Sequence, residues 1–319
     1  MAQAMTDPST PAPTFRRDGF FGHPRGLATL FFTEFWERFS YYGMRALLLL
    51  FMTADVAKGG LGFDKVQGGA IYALYTGCVY LASLPGGWIA DRLIGQRRCV
   101  LIGGCVIASG HFCLAIDTHP TFFLGLVLIV IGTGLLKPNV STMVGELYPE
   151  SGTRRDAGFS IFYSGINLGA FVAPLVTAPL GQGIGWHIGF AAAGIGMVFG
   201  VIQYSLGGRH LGDAGLRPNA GTDPVERKKA ARSLGLGAVG LGVLIVLVVG
   251  VIGLSAPVLA RSMFVIELSL AVLYFAYQIV AGGLDAEEKK RMLAILPLFL
   301  FSCLFWAGFE QAGSSLNLF

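Results

Sequence analysis

Long apolar runs, repeated along almost the whole chain, leave few folds open to this sequence. They cover approximately 26–52, 66–90, 99–116, 121–145, 157–180, 185–206, 234–254, 263–283 and 292–319. Each is close to the roughly 20 residues that an α-helix needs to cross a bilayer. Only 13% of the residues are charged, against roughly 25% in an ordinary soluble domain. A soluble protein so poor in charge could not cover its surface, which excludes a water-soluble enzyme or a nucleic-acid binder. The net charge of +4 is too small and too scattered to suggest a polyanionic partner. The 46 glycines are about twice the usual share of roughly 7% and suit close helix packing in lipid. The composition therefore points to an all-α polytopic membrane protein.

Lysine and arginine placement orients the spans. With the N-terminus in the cytoplasm, the inside segments hold 17 of these residues and the outside loops only Lys58, Lys65 and Arg261. The first 25 residues read as a cytoplasmic tail with no early apolar region of the signal-peptide kind. Six spans at 26–206 are followed by a basic linker at 207–233, a helix pair at 234–283 and a last stretch at 284–319. This order suggests a two-bundle transporter. The five cysteines (Cys78, Cys99, Cys105, Cys113 and Cys303) lie in or beside apolar spans without metal-ligand spacing, and read as small buried side chains.

The informative residues are the ionisable ones inside these spans. In the first, Glu34, Glu37, Arg38, Tyr41, Tyr42 and Arg45 share one helical face. A charge at the bilayer centre costs about 2.5–3.5 kcal/mol on insertion scales, so four of them must line a cavity or pair internally. Glu34 and Arg38 are i,i+4 partners. Arg45 has no acid nearby in its own span and awaits either an anionic substrate group or a partner on another helix. In the fourth span Lys137 precedes Pro138. It is either a second intramembrane cation or a lysine snorkelling to the interface, depending on whether the helix continues through the proline. In the fifth, Tyr163 and Asn167 share a face, and Gly165 and Gly169 form a small-xxx-small pair. Asn167 is suited either to ligand binding or to hydrogen bonding between helices. In the last, Glu310 stands one turn beyond Trp306, as a proton-exchanging acid or as a salt-bridge partner of Arg45 or Lys137. A tight charged turn carries Gly87, Asp91, Arg92, Gly95, Arg97 and Arg98. His111 and Glu267, each alone in its span, read as packing or interhelical hydrogen-bonding residues.

These segments resemble the proton-coupled oligopeptide transporter family of the major facilitator superfamily. Glu34–Arg38 is similar to its E-x-x-E-R signature, continued by Tyr41-Tyr42-Gly43, and Phe162–Gly169 to its F-Y-x-x-I-N-x-G signature. The 86–98 turn resembles the superfamily's cytoplasmic signature, and Phe305-Trp306 with Glu310-Gln311 resembles the seventh-span motif. The resemblance implies a six-helix bundle, an inserted helix pair and the first helix of a second bundle. Because the family has twelve core spans, it also implies a chain that is incomplete at its C-terminus. Arg45 and Lys137 would hold a peptide's carboxylate, Asn167 its amino terminus, and Tyr41, Tyr42, Tyr80, Tyr163 and Trp306 would line the pocket. Glu34, Glu37, Arg38 and Glu310 would couple transport to protons, with no cofactor besides the proton. The expected function is symport of di- and tripeptides by a monomer in the bacterial inner membrane. A carrier of nitrate, another small anion or an amino-acid derivative is the alternative, as is a non-transporting fragment.

Overall fold

The computed structural model describes residues 19–148, 152–218, 224–245 and 255–318. Nine long helices run through them: α1 (Arg25–Thr53), α2 (Lys65–Ile89), α3 (Gln96–Leu114), α4 (His119–Glu146), α5 (Thr153–Gly183), α6 (Trp186–Gly207), α7 (Pro224–Ile245), α8 (Ala256–Ala281) and α9 (Ala286–Phe309). No strand occurs among the described residues, only an isolated bridge between Phe20 and His23. This fits lipid, where each backbone donor and acceptor must be satisfied within its own segment. Most of the tail at 1–25 and residues 246–254 of the seventh apolar run lie outside the described residues.

Six of these helices are long and apolar enough to cross a membrane: α3 to α6, α8, and α9 with its following turns. The helix α1 falls short of that standard because it carries Glu34, Glu37, Arg38 and Arg45, which it can tolerate only inside the protein. Local sequence sets the helix starts. Asp64 accepts hydrogen bonds from the amides of Val66 (2.8 Å) and Gln67 (2.9 Å) ahead of α2. Asp285 and Glu288 form a reciprocal capping box at α9. The stretch 207–233 read as linker ends in helix, because α7 begins at Pro224. Its opening residues include Glu226, Arg227, Lys228, Lys229 and two alanines, strong helix formers that outweigh their polarity.

The helix α1 runs through the middle of the first six, packed chiefly on α5 and α6; α2 lies on α4, α3 bridges α4 and α6, and α8 lies against α2. Glycine makes these contacts close. Gly165 and Gly169 of α5 do form the small-residue face expected of them: a Cβ at Gly165 would come 2.9 Å from the Phe31 ring, and one at Gly169 would meet the Phe35 carbonyl. Backbones come still closer where Gly86 of α2 crosses Gly134 of α4, since a Cβ on Gly86 would collide with the Gly134 carbonyl oxygen. Asn139 bridges this crossing by donating to the carbonyls of Gly86 (3.3 Å) and Leu135 (2.6 Å).

Two apolar clusters fill the bundle. One surrounds the start of α1, with Leu27, Leu30, Ile107, Leu136, Val140, Phe162 and Met197. The other surrounds its end, with Leu47, Leu48, Phe51, Phe122, Ile129 and Phe190. The polar turns of α1 lie between them. Among the cysteines only Cys99 is buried, whereas Cys105 and Cys303 are exposed. The expected burial therefore fails for most of them, because an apolar span offers a lipid-facing side as well as a core-facing one. His111 is fully buried, yet neither ring nitrogen makes a hydrogen bond among the described residues. It packs, with its Cβ near Gly194, and the interhelical hydrogen bond expected as one option is not formed.

Candidate functional site

Between the two apolar clusters, α1 turns its charged face inward. Arg38 sits between two carboxylates, its Nε donating to Glu34 Oε1 at 2.7 Å and lying 2.7 Å from Glu37 Oε2. All three side chains are almost fully buried. Glu34 Oε2, both Glu37 oxygens and Arg38 Nη2 have no hydrogen-bond partner among the described residues. A buried ionic cluster of this kind contributes little net stability over apolar residues of the same size.

Two turns later Arg45 meets the partner that its own span lacks. Its guanidinium binds the Tyr72 hydroxyl on α2 and pairs with the Glu310 carboxylate just beyond α9. Nη1 also donates to Glu310 Oε1 at 3.4 Å, and Nη2 to the Glu310 carbonyl at 3.3 Å. The rings of Tyr42 and Tyr72 flank the guanidinium at 5.7 and 5.6 Å. The contact is local to the turns after α9, where Asn317 Nδ2 donates to the Ala46 carbonyl at 2.9 Å. The salt-bridge partner of Glu310 is Arg45 rather than Lys137, a contact compatible with Glu310 also exchanging a proton.

The helix α4 runs on through Pro138 to Glu146, so Lys137 is an interior cation and not a helix-end one. Its ammonium lies 4.2 Å above the Tyr80 ring, within electrostatic range of Glu34, Glu37 and Glu310. Thus Glu34, Glu37, Arg38, Arg45, Lys137, Glu310, Tyr42 and Tyr80 are brought together. Tyr41 is placed differently. It is buried, stacked on Tyr75 at 6.4 Å and beside the Arg38 guanidinium, so it supports the cluster from the core. Asn167 is exposed and makes no hydrogen bond among the described residues, so it does not tie helices together. Tyr163 is exposed beside Phe162, and Trp306 packs on Phe305 and Phe309 of its own helix. Neither reaches the charged cluster.

Sequence reasoning missed Tyr72 and Tyr75. Both are buried, and their i,i+3 spacing puts two phenols on one side of an apolar helix, a signal present in the sequence.

The 86–98 turn is built around an irregular end of α2. Residues Ala90–Ile94 form a π-helical turn, and Gly95, at φ 80°, reverses the chain into α3, a conformation that favours glycine. Asp91 accepts from Gln96 Nε2 at 3.2 Å, and the Arg92 guanidinium lies over the Trp88 ring. Arg97 holds the segment that leaves α6, donating from Nε to the Ala214 carbonyl (2.7 Å) and from Nη2 to the Gly212 carbonyl. Glu146 accepts from the Gly215 amide at 2.7 Å. Arg98 is exposed. Gly87 faces open space beside Pro138.

A bundle of membrane-length helices with charge at its centre, joined by a salt bridge to the turn after a later helix, defines a polytopic helical membrane protein. Residues 97–319 match the POT family (PTR2); the chain belongs to this family. It is 45% identical over 309 residues to the uncharacterized transporter YclF of Bacillus subtilis, covering 94% of this chain and 61% of that protein. A di-/tripeptide transporter of Lactococcus lactis is 42% identical over 92% of this chain and 60% of its own length. The crystal structure of a peptide transporter POT with sulfate superposes with a TM-score of 0.86 at 44% identity, covering 95% of this chain and 62% of that one. A POT family transporter in complex with 5-aminolevulinic acid gives 0.85 at 40% identity, covering 95% and 63%. The chain thus spans about 60% of the length of these relatives.

Proposed function

We propose that this chain is the first bundle, hinge region and seventh core helix of a proton-coupled symporter of di- and tripeptides, a carrier and not an enzyme. In this reading 26–206 is the first bundle, 207–233 the link, 234–283 the inserted pair and 284–319 the start of the second bundle. The observation that carries it is the Arg45–Glu310 salt bridge across helices. Arg45 is a buried cation whose partner carboxylate has the same chemistry as a peptide C-terminus, so a peptide carboxylate competes for it directly. A proton on Glu310 removes its charge and releases the guanidinium. Substrate and proton therefore act on one contact, which also spans the two bundles. Lys137, over Tyr80, supplies the second cation for the carboxylate, and Asn167, Tyr163 and Trp306, exposed apart from the charged cluster, are assigned to the remainder of the peptide on the strength of the family resemblance. Glu34, Glu37 and Arg38 pass the protonation state along α1. The Gly87–Arg98 turn, with Arg97 on the segment after α6, serves as the conformational latch.

The relatives' assignment as di-/tripeptide transporters supports peptide as the substrate class. The 17-to-3 charge asymmetry supports a cytoplasmic N-terminus, and the bacterial relatives support a bacterial inner (plasma) membrane; this reading takes a monomer as the working unit and the proton as the only coupling species. Uptake of labelled dialanine into proteoliposomes under an imposed pH gradient tests the reading. Lys137→Ala and Glu310→Gln are each expected to abolish gradient-driven uptake; intact uptake in both would overturn the site assignment. A carrier of amino-acid derivatives is the second reading, favoured by the 5-aminolevulinic acid complex of one relative. Competition that favours such a compound over dipeptides would select it.

A further inference from the structure

At the end of the bundle where α1 begins and α6 finishes, a cavity of about 550 Å³ opens between the two helices. Arg25 and Thr29 of α1, Gln203 and Leu206 of α6, and Arg209 and His210 of the following turn are among its walls, and none of the described residues lining it is acidic. The polar floor is held in place. Gln203 Nε2 donates to the Thr29 carbonyl at 3.3 Å, Thr29 Oγ1 to the Gly207 carbonyl at 3.2 Å, and Thr33 Oγ1 to Gln203 Oε1 at 3.3 Å. The first turn of α1 carries no acid, so its dipole also favours an anion there.

An apolar track leads from this cavity toward the middle of the helices. Phe32 stands two turns beyond Arg25 on the same side of α1, and Leu206, Ile202 and Phe199 form an i,i+3,i+7 stripe leading away from Arg209 on α6. All four are exposed, Leu206 at 72%. The pairing is that of a phospholipid: basic groups and amide dipoles at the interface, and apolar surface running into the hydrocarbon. A soluble phosphate would match the first half only.

We infer that the α1–α6 cavity binds the phosphate head of an anionic glycerophospholipid, with Arg25 and Arg209 as its cations and an acyl chain lying along Phe32, Ile202 and Phe199. Basic pockets between membrane helices on the cytoplasmic side suit such headgroups. The inference rests on the proposed topology only for which leaflet supplies the lipid.

Native mass spectrometry of the purified protein titrated with phosphatidylglycerol, phosphatidylcholine and glycerol 3-phosphate tests it. Phosphatidylglycerol is expected to bind more tightly than phosphatidylcholine. In Arg25→Gln/Arg209→Gln its affinity should fall roughly 10- to 30-fold, with phosphatidylcholine binding unchanged. Ile202→Ser should weaken both lipids. Should the double variant melt at a lower temperature than the parent, Arg209→Gln alone is the comparison, with about fivefold loss expected. Equal phosphatidylglycerol binding in parent and variants overturns the inference, as does displacement of the lipid by equimolar glycerol 3-phosphate, which would mark a soluble-anion site. Labelling of Asp213→Cys by an impermeant maleimide in inverted vesicles but not in spheroplasts checks the leaflet separately, since a reversed topology moves the site to the other leaflet without removing it.

Discussion

Removing Arg38 is the sharpest test of how α1 keeps its charges. The guanidinium lies 2.7 Å from an oxygen of Glu34 and 2.7 Å from one of Glu37, with side-chain exposures of 6%, 3% and 1% for the three residues. Arg38→Met keeps the volume and deletes the charge, leaving two carboxylates adjacent and buried. Breaking a buried pair by removing one partner costs about 3–5 kcal/mol, a roughly hundred- to several-thousand-fold change in the folded-to-unfolded ratio. Replacing the whole cluster, as Glu34→Met/Glu37→Met/Arg38→Met, removes the stranded charges as well. Such replacements are neutral or stabilising in other proteins, so stability should return to the parent's or exceed it. SDS titration in mixed micelles, followed by tryptophan fluorescence, reads both variants. Transport should be lost in both, which separates function from stability. If the single variant were as stable as the parent, or the triple as unstable as the single, the account of a costly, functionally retained ion cluster would be wrong.

Three further outcomes follow from particular contacts. Gly86→Ala should cost about 1–3 kcal/mol through overpacking at the α2–α4 crossing, whereas Gly87→Ala, whose Cβ would lie 3.9 Å from Pro138 Cβ, should be neutral or mildly stabilising; thermal melting in detergent distinguishes the neighbours. Tyr72→Phe should cost about 1–3 kcal/mol by leaving a buried Arg45 N–H unsatisfied and should weaken dialanine uptake, with the fall read as a raised KM. His23, before α1, bonds the Tyr148 hydroxyl at 2.8 Å, and burial and then Arg154 hold its pKa below 6.5. A depressed histidine favours the folded state while neutral, so docking of residues 19–23 is complete above pH 6.5 and weakens as pH falls below it. Hydrogen exchange in this segment should therefore quicken on acidification, and unchanged exchange between pH 7.5 and 5.5 would contradict it.

Chain chemistry alone determined the class of this protein. Apolar runs of membrane-crossing length, the scarcity of charge and the 17-to-3 asymmetry need no partner to be read, because lipid imposes the same requirement on every residue of a span. The inward direction of Glu34, Glu37, Arg38 and Arg45 follows likewise, since four charges on one face cannot be paid out to hydrocarbon. The glycines of α5 were legible from spacing for the same reason. Which helix answers which was decided only by the tertiary structure. Arg45 left substrate and partner open until the turn after α9 brought Glu310 to it, a contact between residues 265 positions apart. Lys137 depended on whether α4 survived Pro138. Tyr72 looked like one aromatic among many until packing set its hydroxyl on Arg45, while Tyr41, on the charged face by periodicity, was drawn into the core by Tyr75. Periodicity fixes the direction of a side chain about its own axis; the neighbour that meets it is set by how close the glycine crossings let the helices come.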